Sequence, residues 1–495
     1  MTIKTRYRHF IDGKWVNPAS GLYFESENPR TGSPWYEVAR ADQSDVDMAI
    51  TAAITAFERG PWRQTTPTQR GQMLYRLAEV VAEHADELAV IEARDNGKLL
   101  REMKAQMSSL PDYFRFYGGM ADKVRGDLIQ GVAPNALNYT LREPLGVVVA
   151  ITAWNSPLYL AAMKVAPALA MGNTVVLKPS EYTSASTLLL ASYFMEAGFP
   201  PGVVNAVSGL GGEIGDTLVD DVRVAKVAFT GSTATGRRIA ARCGDRLAKV
   251  SLELGGKSPS IVFSDANLDN MATGVVAGVF AAAGQMCTSG SRLFVQASIY
   301  DQVVSLIVER ASRICIGDPM ESDTELGPLI NERQLQHVET CVASAVEEGA
   351  TIAFGGGRPA GHETGWFFEP TVLTNVSNSM TIAQTEVFGP VLSVIRFDTE
   401  TEAVALANDT PYGLASGIWT TDLARGHRVA AALDAGIVWI NTYRNESPMS
   451  PFGGFKQSGM GKENGYESVL EYSRVKSVWV NYDQGSLPDP FSFPG

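Results

Sequence analysis

Short apolar runs rich in β-branched residues alternate with helical segments from Leu145 onward, and this alternation most constrains the fold. Four such runs occupy residues 146–151, 174–177, 203–207 and 226–229. Each run is followed by turn residues and then by a helical pattern, for example residues 184–197. Continuous apolar strands that alternate with helices are typical of βαβ units, whose parallel sheet is buried on both faces. The sequence therefore predicts an α/β fold.

Further elements are predicted on both sides of this region. Residues 45–107 have a helical pattern with breaks near Gly60-Pro61 and Thr66-Pro67, and apolar residues recur there at helical spacing. A second α/β cycle is predicted for residues 260–440, with strands at 260–263 and 436–440. Residues 475–482 alternate as a strand does and precede a Pro-rich polar end. Because no partner strand follows it, this strand could join the sheet of another subunit.

Length and composition exclude several classes of protein. The 495 residues are too many for one core, so we expect several domains. The net charge of −13 argues against nucleic-acid binding, which needs a basic surface. The four cysteines are widely spaced and show no CxxC, so we expect no metal site and a reducing cytoplasm. No signal peptide is evident, and the longest apolar stretch, residues 271–287, is too short for a membrane span.

Cys287 and Glu253 are candidate catalytic residues. Cys287 ends a Gly-Gln-Met-Cys segment, and Glu253 ends an apolar strand that two glycines follow. A thiol nucleophile must become a thiolate, and a base must later activate the water that releases the acyl group. None of the five histidines lies near Cys287 in sequence, although the fold could bring one close. A buried structural cysteine on a Gly/Ala-rich helix, residues 278–283, is the alternative.

Two glycine-rich turns follow successive predicted strands. Residues 231–236, Gly-Ser-Thr-Ala-Thr-Gly, open a helix with Ser232 as its N-cap. The free amides and the dipole of that first turn suit a pyrophosphate. The segment is not a Walker A loop, because Arg237-Arg238 stand where Lys-Ser/Thr is required, and residues 209–215 are one residue off the GxGxxG pattern. Each alone is typical of a structural turn; together they favour a dinucleotide crevice.

Polar residues also follow two of the predicted strands. Lys178 could contact a phosphate or a ribose at the carboxyl end of its strand, and Glu181 could accept hydrogen bonds from ribose hydroxyls. Asn155 follows the strand 146–151, where its amide could donate to a developing oxyanion. The alternatives are a solvated ion pair for Lys178 and Glu181 and a turn-forming role for Asn155, which precedes Ser-Pro.

Seven short segments carry a resemblance to a known family. In chain order they are Trp154-Asn155, Leu177-Lys178-Pro179-Ser180-Glu181, Phe229-Thr230-Gly231-Ser232, Glu253-Leu254-Gly255-Gly256-Lys257, Gly284-Gln285-Met286-Cys287, Glu386-Val387-Phe388-Gly389-Pro390 and Pro451-Phe452-Gly453-Gly454. This ordered set resembles the NAD(P)-dependent aldehyde dehydrogenase superfamily, in its non-phosphorylating, hydrolytic type. The rest of the chain matches in length and texture.

The resemblance implies an α/β protein of three parts. A Rossmann-like cofactor domain would comprise residues 1–122 and 145–253, and an α/β catalytic domain would comprise residues 254–457. A small β oligomerisation extension would comprise residues 123–144 and 472–495. A homodimer or homotetramer would follow, with no membrane or nucleic-acid partner.

The resemblance also implies roles for individual residues. Cys287 would be the nucleophile, Glu253 the general base, and Asn155 would form the oxyanion hole with the Cys287 amide. Glu463 would help to relay protons, with Lys164 as its partner. NAD, or less readily NADP, would be held by Ile151, Trp154, Lys178, Ser180, Glu181, Gly211, Gly215, Phe229, Gly231, Ser232, Leu254, Glu386 and Phe388. The aldehyde would contact Ser156, Tyr159, Met163, Met286, Thr288, Arg444 and Phe452.

The implied reaction is oxidation of an aldehyde to a carboxylic acid with NAD, through a cysteine thiohemiacetal and a thioester. An acylating relative would pass the acyl group to coenzyme A instead, but the presence of Glu253 argues against it. A catalytically silent structural or binding relative and a cofactor-free cysteine hydrolase also compete with this interpretation. Polar residues at the predicted tunnel mouth, Arg444, Asn445 and Glu446, indicate either a substrate with a distant polar group or a solvated loop rim.

Overall fold

The computed structural model describes residues 5–483, 485 and 489–491 of the chain. Residues 1–4 of the predicted cofactor domain lie outside the described residues. So do residues 484, 486–488 and 492–495 of the predicted extension and its Pro-rich end.

An eight-stranded sheet contains the four strands predicted first. Its strands, in spatial order, are Gly459–Met460, Lys249–Glu253, Val224–Thr230, Val147–Ile151, Thr174–Lys178, Val204–Ala206, His9–Ile11 and Lys14–Val16. The five central strands are parallel, and the strands at both margins are antiparallel. The central strands are almost wholly buried because helices cover both faces.

A seven-stranded sheet forms the second α/β cycle. Its strands, in spatial order, are Thr351–Phe354, Thr371–Thr374, Val391–Phe397, Arg292–Gln296, Pro259–Val262, Ala415–Trp419 and Ile437–Ile440. All pairs are parallel except that of the first strand. The predicted strands 260–263 and 436–440 are confirmed, and so is the α/β class.

Three smaller sheets contain the remaining strands. They are Thr5–Tyr7 with Ser33–Ala39 and Tyr23–Asn28, Tyr412–Gly413 with Phe455–Lys456, and Ser473–Asn481 with Ala136–Pro144 and Leu128–Ile129. The predicted strand near the chain end thus pairs within its own chain, antiparallel to Ala136–Pro144. Its other edge carries no partner strand among the described residues.

The α-helices lie before, between and after these strands. They are Gln43–Glu58, Pro67–Glu83, Ala85–Asn96, Leu100–Met120, Pro157–Ala170, Ala185–Glu196, Gly211–Asp220, Thr233–Asp245, Leu268–Phe280, Tyr300–Ala311, Glu332–Glu347, Thr381–Gln384, Glu400–Asn408, Leu423–Ala432 and Gly465–Glu471. Short 3₁₀ helices occupy Pro61–Gln64, Ala281–Gly284 and Ala297–Ile299. Within the described ranges, the helices include none that is both long and apolar enough to cross a membrane.

Strand register brings the sequence motifs to one edge of the eight-stranded sheet. Ile151 pairs with both Lys178 and Phe229, and Thr230 pairs with Glu253. The carboxyl ends of four adjacent parallel strands therefore meet at one edge, where parallel α/β sheets bind their ligands.

Candidate active site

The loop that carries Cys287 is held in a left-handed conformation. The helix before it ends at Phe280, so the predicted helix 278–283 is wrong at its end: Ala282 and Ala283 have φ of 54° and 52°. Left-handed backbone at a residue with a Cβ costs about 1 kcal/mol or more, so surrounding contacts must impose it. Gly284 continues the turn at φ 69°, where a Cβ would collide with the carbonyl oxygen of Gly389.

Hydrogen bonds of Gln285 hold this loop in place. Its Nε2 donates to the carbonyl of Ala282 at 3.3 Å, and its Oε1 accepts from the backbone N–H of Ile330 at 2.8 Å. Its own carbonyl accepts from Nδ2 of Asn155 at 3.1 Å. The glutamine of the Gly-Gln-Met-Cys segment therefore positions the cysteine, and it ties the predicted oxyanion-hole amide to the same loop.

The Cys287 thiol is half-buried in acidic surroundings. Burial raises the pKa of this thiol, and the carboxylates of Glu446, Glu386 and Glu253 raise it further, in that order. In this state the thiol is protonated at neutral pH. A nearby base must therefore take its proton before it can act as a nucleophile.

Glu253 ends the strand Lys249–Glu253 and is buried. Burial raises its pKa well above the ordinary carboxyl value, and Glu463 adds to that shift, while Lys164 and Lys462 oppose it. Its Oε2 has no hydrogen-bond partner within the described part of the chain. A buried carboxyl with a raised pKa and a free oxygen has the properties of a general base.

Lys164 and Glu463 form a buried ion pair near this base. Nζ of Lys164 donates to Oε1 of Glu463 at 2.8 Å and to Oγ1 of Thr230 at 2.7 Å. The strand residue Thr230 pairs with Glu253. The structure thus places both predicted relay residues behind the strand end that carries Glu253.

A cavity of about 550 Å³ is lined by Cys287, Glu253 and Asn155. Its lining includes nine of the residues predicted for the site: Trp154, Asn155, Gly231, Ser232, Glu253, Leu254, Cys287, Glu386 and Phe388. Residues of the helix Glu332–Glu347 and its N-cap close the opposite wall. One cavity therefore contains the cysteine, the carboxylate and the side-chain amide.

Two predicted residues of the cavity are fixed by specific contacts. Oε1 of Glu386 accepts from the backbone N–H of Gly256 at 3.1 Å, and burial raises its pKa to about 7. Phe388 has a left-handed φ of 53° and packs edge to face on Trp154, with ring centroids 5.2 Å apart. Nε2 of Gln334 donates to the carbonyl of Phe388 at 2.9 Å. This contact holds the strained residue in place.

The other predicted cofactor residues do not line that cavity. Ile151, Lys178 and Phe229 lie at neighbouring strand ends, while Ser180, Glu181, Gly211 and Gly215 follow on loops and the next helix. Nζ of Lys178 lies 3.8 Å from Oε2 of Glu181, which is partly exposed. A Cβ on Gly211 would lie 3.9 Å from the same carboxylate. These groups form a second patch along the same edge of the sheet.

Cavity and patch together have the chemistry that a dinucleotide needs. Ser232 caps its helix by accepting from the N–H of Thr235, which leaves the other first-turn amides for an anion. A Cβ on Gly231 would lie 2.5 Å from the Phe229 ring, so a larger residue at this position would collide with that ring. Glu181 in the patch and Glu386 in the cavity carry carboxyl groups, which can accept hydrogen bonds from ribose hydroxyls. The donor set fits two riboses joined by a pyrophosphate.

The predicted substrate residues do not line the cavity, and three of them are chain neighbours of Asn155 or Cys287. Ser156 directly follows Asn155, and Met286 and Thr288 flank Cys287. Of the others, Tyr159 contacts Ser109 through its hydroxyl, and Arg444 donates to the carbonyl of Ala277. Met163 and Phe452 belong to the buried core.

Several residues of the site were not predicted from the sequence. They are Gln285, Gln334, Arg333, His337 and Tyr182. Tyr182, Arg333, Gln334 and His337 line the cavity, and the last three share one helix. Their one sequence signal is polar residues on one helical face after Asn331, a pattern that equally describes a solvated helix.

Comparisons with known proteins identify the family. A sequence model of the aldehyde dehydrogenase family matches residues 15–478. A relative from Acinetobacter baylyi, (Z)-2-((N-methylformamido)methylene)-5-hydroxybutyrolactone dehydrogenase, is 44% identical over 98% of this chain and 99% of its own. A betaine aldehyde dehydrogenase from Brucella anthropi is 42% identical over 99% and 100%. The NAD⁺ complex of an aldehyde dehydrogenase from Bacillus cereus has a TM-score of 0.95 at 44% identity, with 97% of each chain covered. The chain belongs to the aldehyde dehydrogenase family.

Proposed function

We propose that this protein oxidises an aldehyde to a carboxylic acid with NAD, through a covalent bond to Cys287. The observation that carries the proposal is the single cavity that contains Cys287, Asn155, Glu253 and Glu386. The family relationship and the solved NAD⁺ complex of a relative support it.

The chain's own residues bind the dinucleotide in the cavity and at the second patch beside it. The first-turn amides after Ser232 bind the pyrophosphate, Glu181 accepts from the adenine ribose, and Glu386 accepts from the nicotinamide ribose. When bound, NAD supplies a nicotinamide ring that accepts a hydride from the thiohemiacetal carbon.

The first half of the reaction joins the substrate to Cys287. A base takes the thiol proton, the sulfur bonds to the aldehyde carbon, and the carbonyl electron pair moves onto oxygen. Asn155 Nδ2 has a second N–H besides the one it donates to Gln285, and with the Cys287 amide it stabilises that oxyanion. Loss of hydride then leaves a thioester.

The second half releases the acid. Glu253 takes a proton from water, the resulting hydroxide attacks the thioester carbon, and the carbon–sulfur bond breaks to return the Cys287 sulfur. Lys164 and Glu463 are proposed to pass the proton onward. Their buried contact beside the Glu253 strand supports that role.

The predicted domains are retained as proposals. Residues 1–122 and 145–253 bind the cofactor, residues 254–457 form the catalytic domain, and residues 123–144 and 472–495 join subunits in a homodimer or homotetramer. The exposed apolar side chains of the strand Ser473–Asn481 support the last assignment. The four free cysteines support a reducing cytoplasm as its location.

A direct assay separates this function from the competing ones. NADH that forms only when an aldehyde is added, without coenzyme A, is the expected result. A requirement for coenzyme A would indicate the acylating reaction. Ester or amide hydrolysis without NAD would indicate a hydrolase, and no turnover with any aldehyde would indicate a silent binding relative.

A further inference from the structure

Lys98 is a buried cation that the mechanism above does not use. It follows Gly97, whose φ of 76° ends the helix Ala85–Asn96, and its side chain is 3% exposed. Its Nζ donates to Oγ of Ser156 at 2.8 Å. It makes no ion pair with another described residue, so further N–H donors of the ammonium are left for a ligand.

Lys98 lies next to the reacting centre. Its hydrogen-bond acceptor, Ser156, directly follows the oxyanion-hole candidate Asn155. Burial lowers the pKa of Lys98 to about 8, and Arg444 lowers it further, while Glu102, Glu92 and Cys287 oppose that shift. The ammonium is therefore close enough to Cys287 and Arg444 for their charges to interact, and it is largely protonated at neutral pH.

The helix after Lys98 presents a polar stripe. Glu102, Gln106, Ser109 and Tyr113 recur at three- and four-residue spacing, so they share one face of the helix Leu100–Met120. Ser109 Oγ lies 2.9 Å from the hydroxyl of Tyr159. Oε2 of Glu102 and Oε1 of Gln106 are buried without a hydrogen-bond partner among the described residues. Buried polar atoms without partners indicate that a polar ligand or water meets them.

Charged groups of both signs surround this stripe. The carboxylate of Glu446 is the strongest charge acting on Cys287, and Glu386 and Glu253 act in the same direction. These groups oppose a substrate carboxylate. Lys98 and Arg444 are cations on the same side, and Glu102 and Glu92 are carboxyl groups beside Lys98. A substrate of either charge therefore meets a like charge here, whereas an uncharged substrate with hydrogen-bonding oxygens meets none.

We propose that Lys98 and Ser156 form a hydroxyl-binding subsite beside Cys287, and that the substrate is an uncharged aldehyde with hydroxyl groups close to its aldehyde carbon. The proposal rests on the proposed function. A substrate hydroxyl accepts from the ammonium of Lys98, while more distant hydroxyls meet the stripe on the helix Leu100–Met120.

Pairs of aldehydes of equal chain length test this subsite. The comparison is kcat/KM for glyceraldehyde and for propanal, each calculated on the unhydrated aldehyde, with succinic semialdehyde and betaine aldehyde as charged probes. We expect glyceraldehyde to exceed propanal by about tenfold or more, because a hydrogen bond to a charged group discriminates by at least that factor. Both charged probes should be poorer than glyceraldehyde.

Variants assign the preference to its residues. Lys98→Met and Ser156→Ala should each reduce the glyceraldehyde-to-propanal ratio several-fold, and the ratio cancels any general loss of activity. Lys104→Met, an exposed lysine on the same helix, is the matched control and should keep the ratio. If Lys98→Met does not fold, Ser156→Ala still decides the question.

Three results would overturn the subsite: propanal as the better substrate, a charged probe as the best one, or an unchanged ratio in every folded variant. Failure of the proposed function looks different, because then no aldehyde would give NADH at all.

Discussion

The ammonium of Lys164 lies 2.8 Å from Oε1 of Glu463, and both side chains are buried, at 0% and 1% exposure. Thr230 Oγ1 accepts a second hydrogen bond from the same ammonium, and the Thr230 backbone pairs with Glu253. Glu463 raises the pKa of Glu253 and Lys164 lowers it. Burial is the largest cause of the raised pKa of Glu253, and the two members of the ion pair adjust that pKa in opposite directions.

Glu463→Gln should move the acid side of the pH–rate profile to lower pH. Activity needs the deprotonated Glu253, so it rises with pH through the pKa of that group. The substitution removes a negative charge that raises this pKa and leaves Lys164, which lowers it. The measurement is kcat against pH, normalised to each variant's maximum.

Glu467→Gln is the matched control for that experiment. Glu467 is exposed on the next helix and is not among the charges that shift Glu253. An acid limb that stays in place for Glu463→Gln, or moves equally for Glu467→Gln, would contradict the assignment.

Cys287→Ala should lower kcat by about a thousandfold or more, because no other described thiol lines the cavity. NAD affinity, measured by calorimetry, should be nearly unchanged since Cys287 itself is not among the proposed cofactor contacts. The exposed Cys315→Ala is the control and should keep full activity. Substantial turnover by Cys287→Ala would rule out the covalent role.

Glu253→Gln should separate the two halves of the reaction. Hydride leaves before water attacks, so rapid mixing should show a burst near one NADH per site, followed by slow turnover. Loss of the burst along with the steady state would instead place Glu253 in the activation of Cys287. Both roles are consistent with its buried carboxyl and its raised pKa.

Much of the fold could be predicted from the sequence because buried parallel strands are continuous apolar runs. The predicted strands 146–151 and 226–229 are found within a residue or two of their positions. The breaks at Gly60-Pro61 and Thr66-Pro67 are also found, since proline begins the next helical segment in each case. The break at Gly97 was missed, and the last helix of this region continues to Met120 through Pro111.

Site residues could be predicted where the residue type itself carries the chemistry and lies in a recognisable motif. They could not be predicted where contacts between distant segments determine the structure. Cys287, Glu253 and Asn155 carry their chemistry in their residue type. Ala282 and Ala283 are residue types that favour a right-handed helix. Hydrogen bonds of Gln285 to Ala282 and to the distant backbone at Pro328 and Ile330 help to hold them in the left-handed conformation. Lys98 could not be placed beside Ser156, because their contact joins segments far apart in sequence.

Trp479→Glu should reduce the size of the assembly measured by light scattering. Trp479 is 61% exposed on the edge strand Ser473–Asn481, next to Val480, which is also exposed. One side of this strand pairs with Ala136–Pro144, and the other pairs with no strand among the described residues. Exposed apolar side chains on an edge strand mark a surface for another chain. Leu423→Glu, at an exposed leucine elsewhere, is the control. An unchanged mass for Trp479→Glu would contradict the assignment of this strand to the subunit interface.

NAD should be preferred over NADP because of Glu181. Its partly exposed carboxylate lies at the strand end, where it can accept from both hydroxyls of the adenine ribose. A 2′-phosphate there would meet a like charge, and two anions a few ångströms apart near a surface repel by on the order of a few kcal/mol. Half of that repulsion corresponds to roughly tenfold discrimination or more.

Glu181→Ser should shift the preference toward NADP. The substitution removes the repelling charge and frees the Lys178 ammonium, now 3.8 Å from Glu181, for a phosphate. The measurement is kcat/KM for each cofactor in the wild type and the variant. Glu213→Ser is the control, because Glu213 is a carboxylate on the nearby helix Gly211–Asp220 that pairs with Arg40 instead. A wild-type preference for NADP, or an equal shift in both variants, would refute the role given to Glu181.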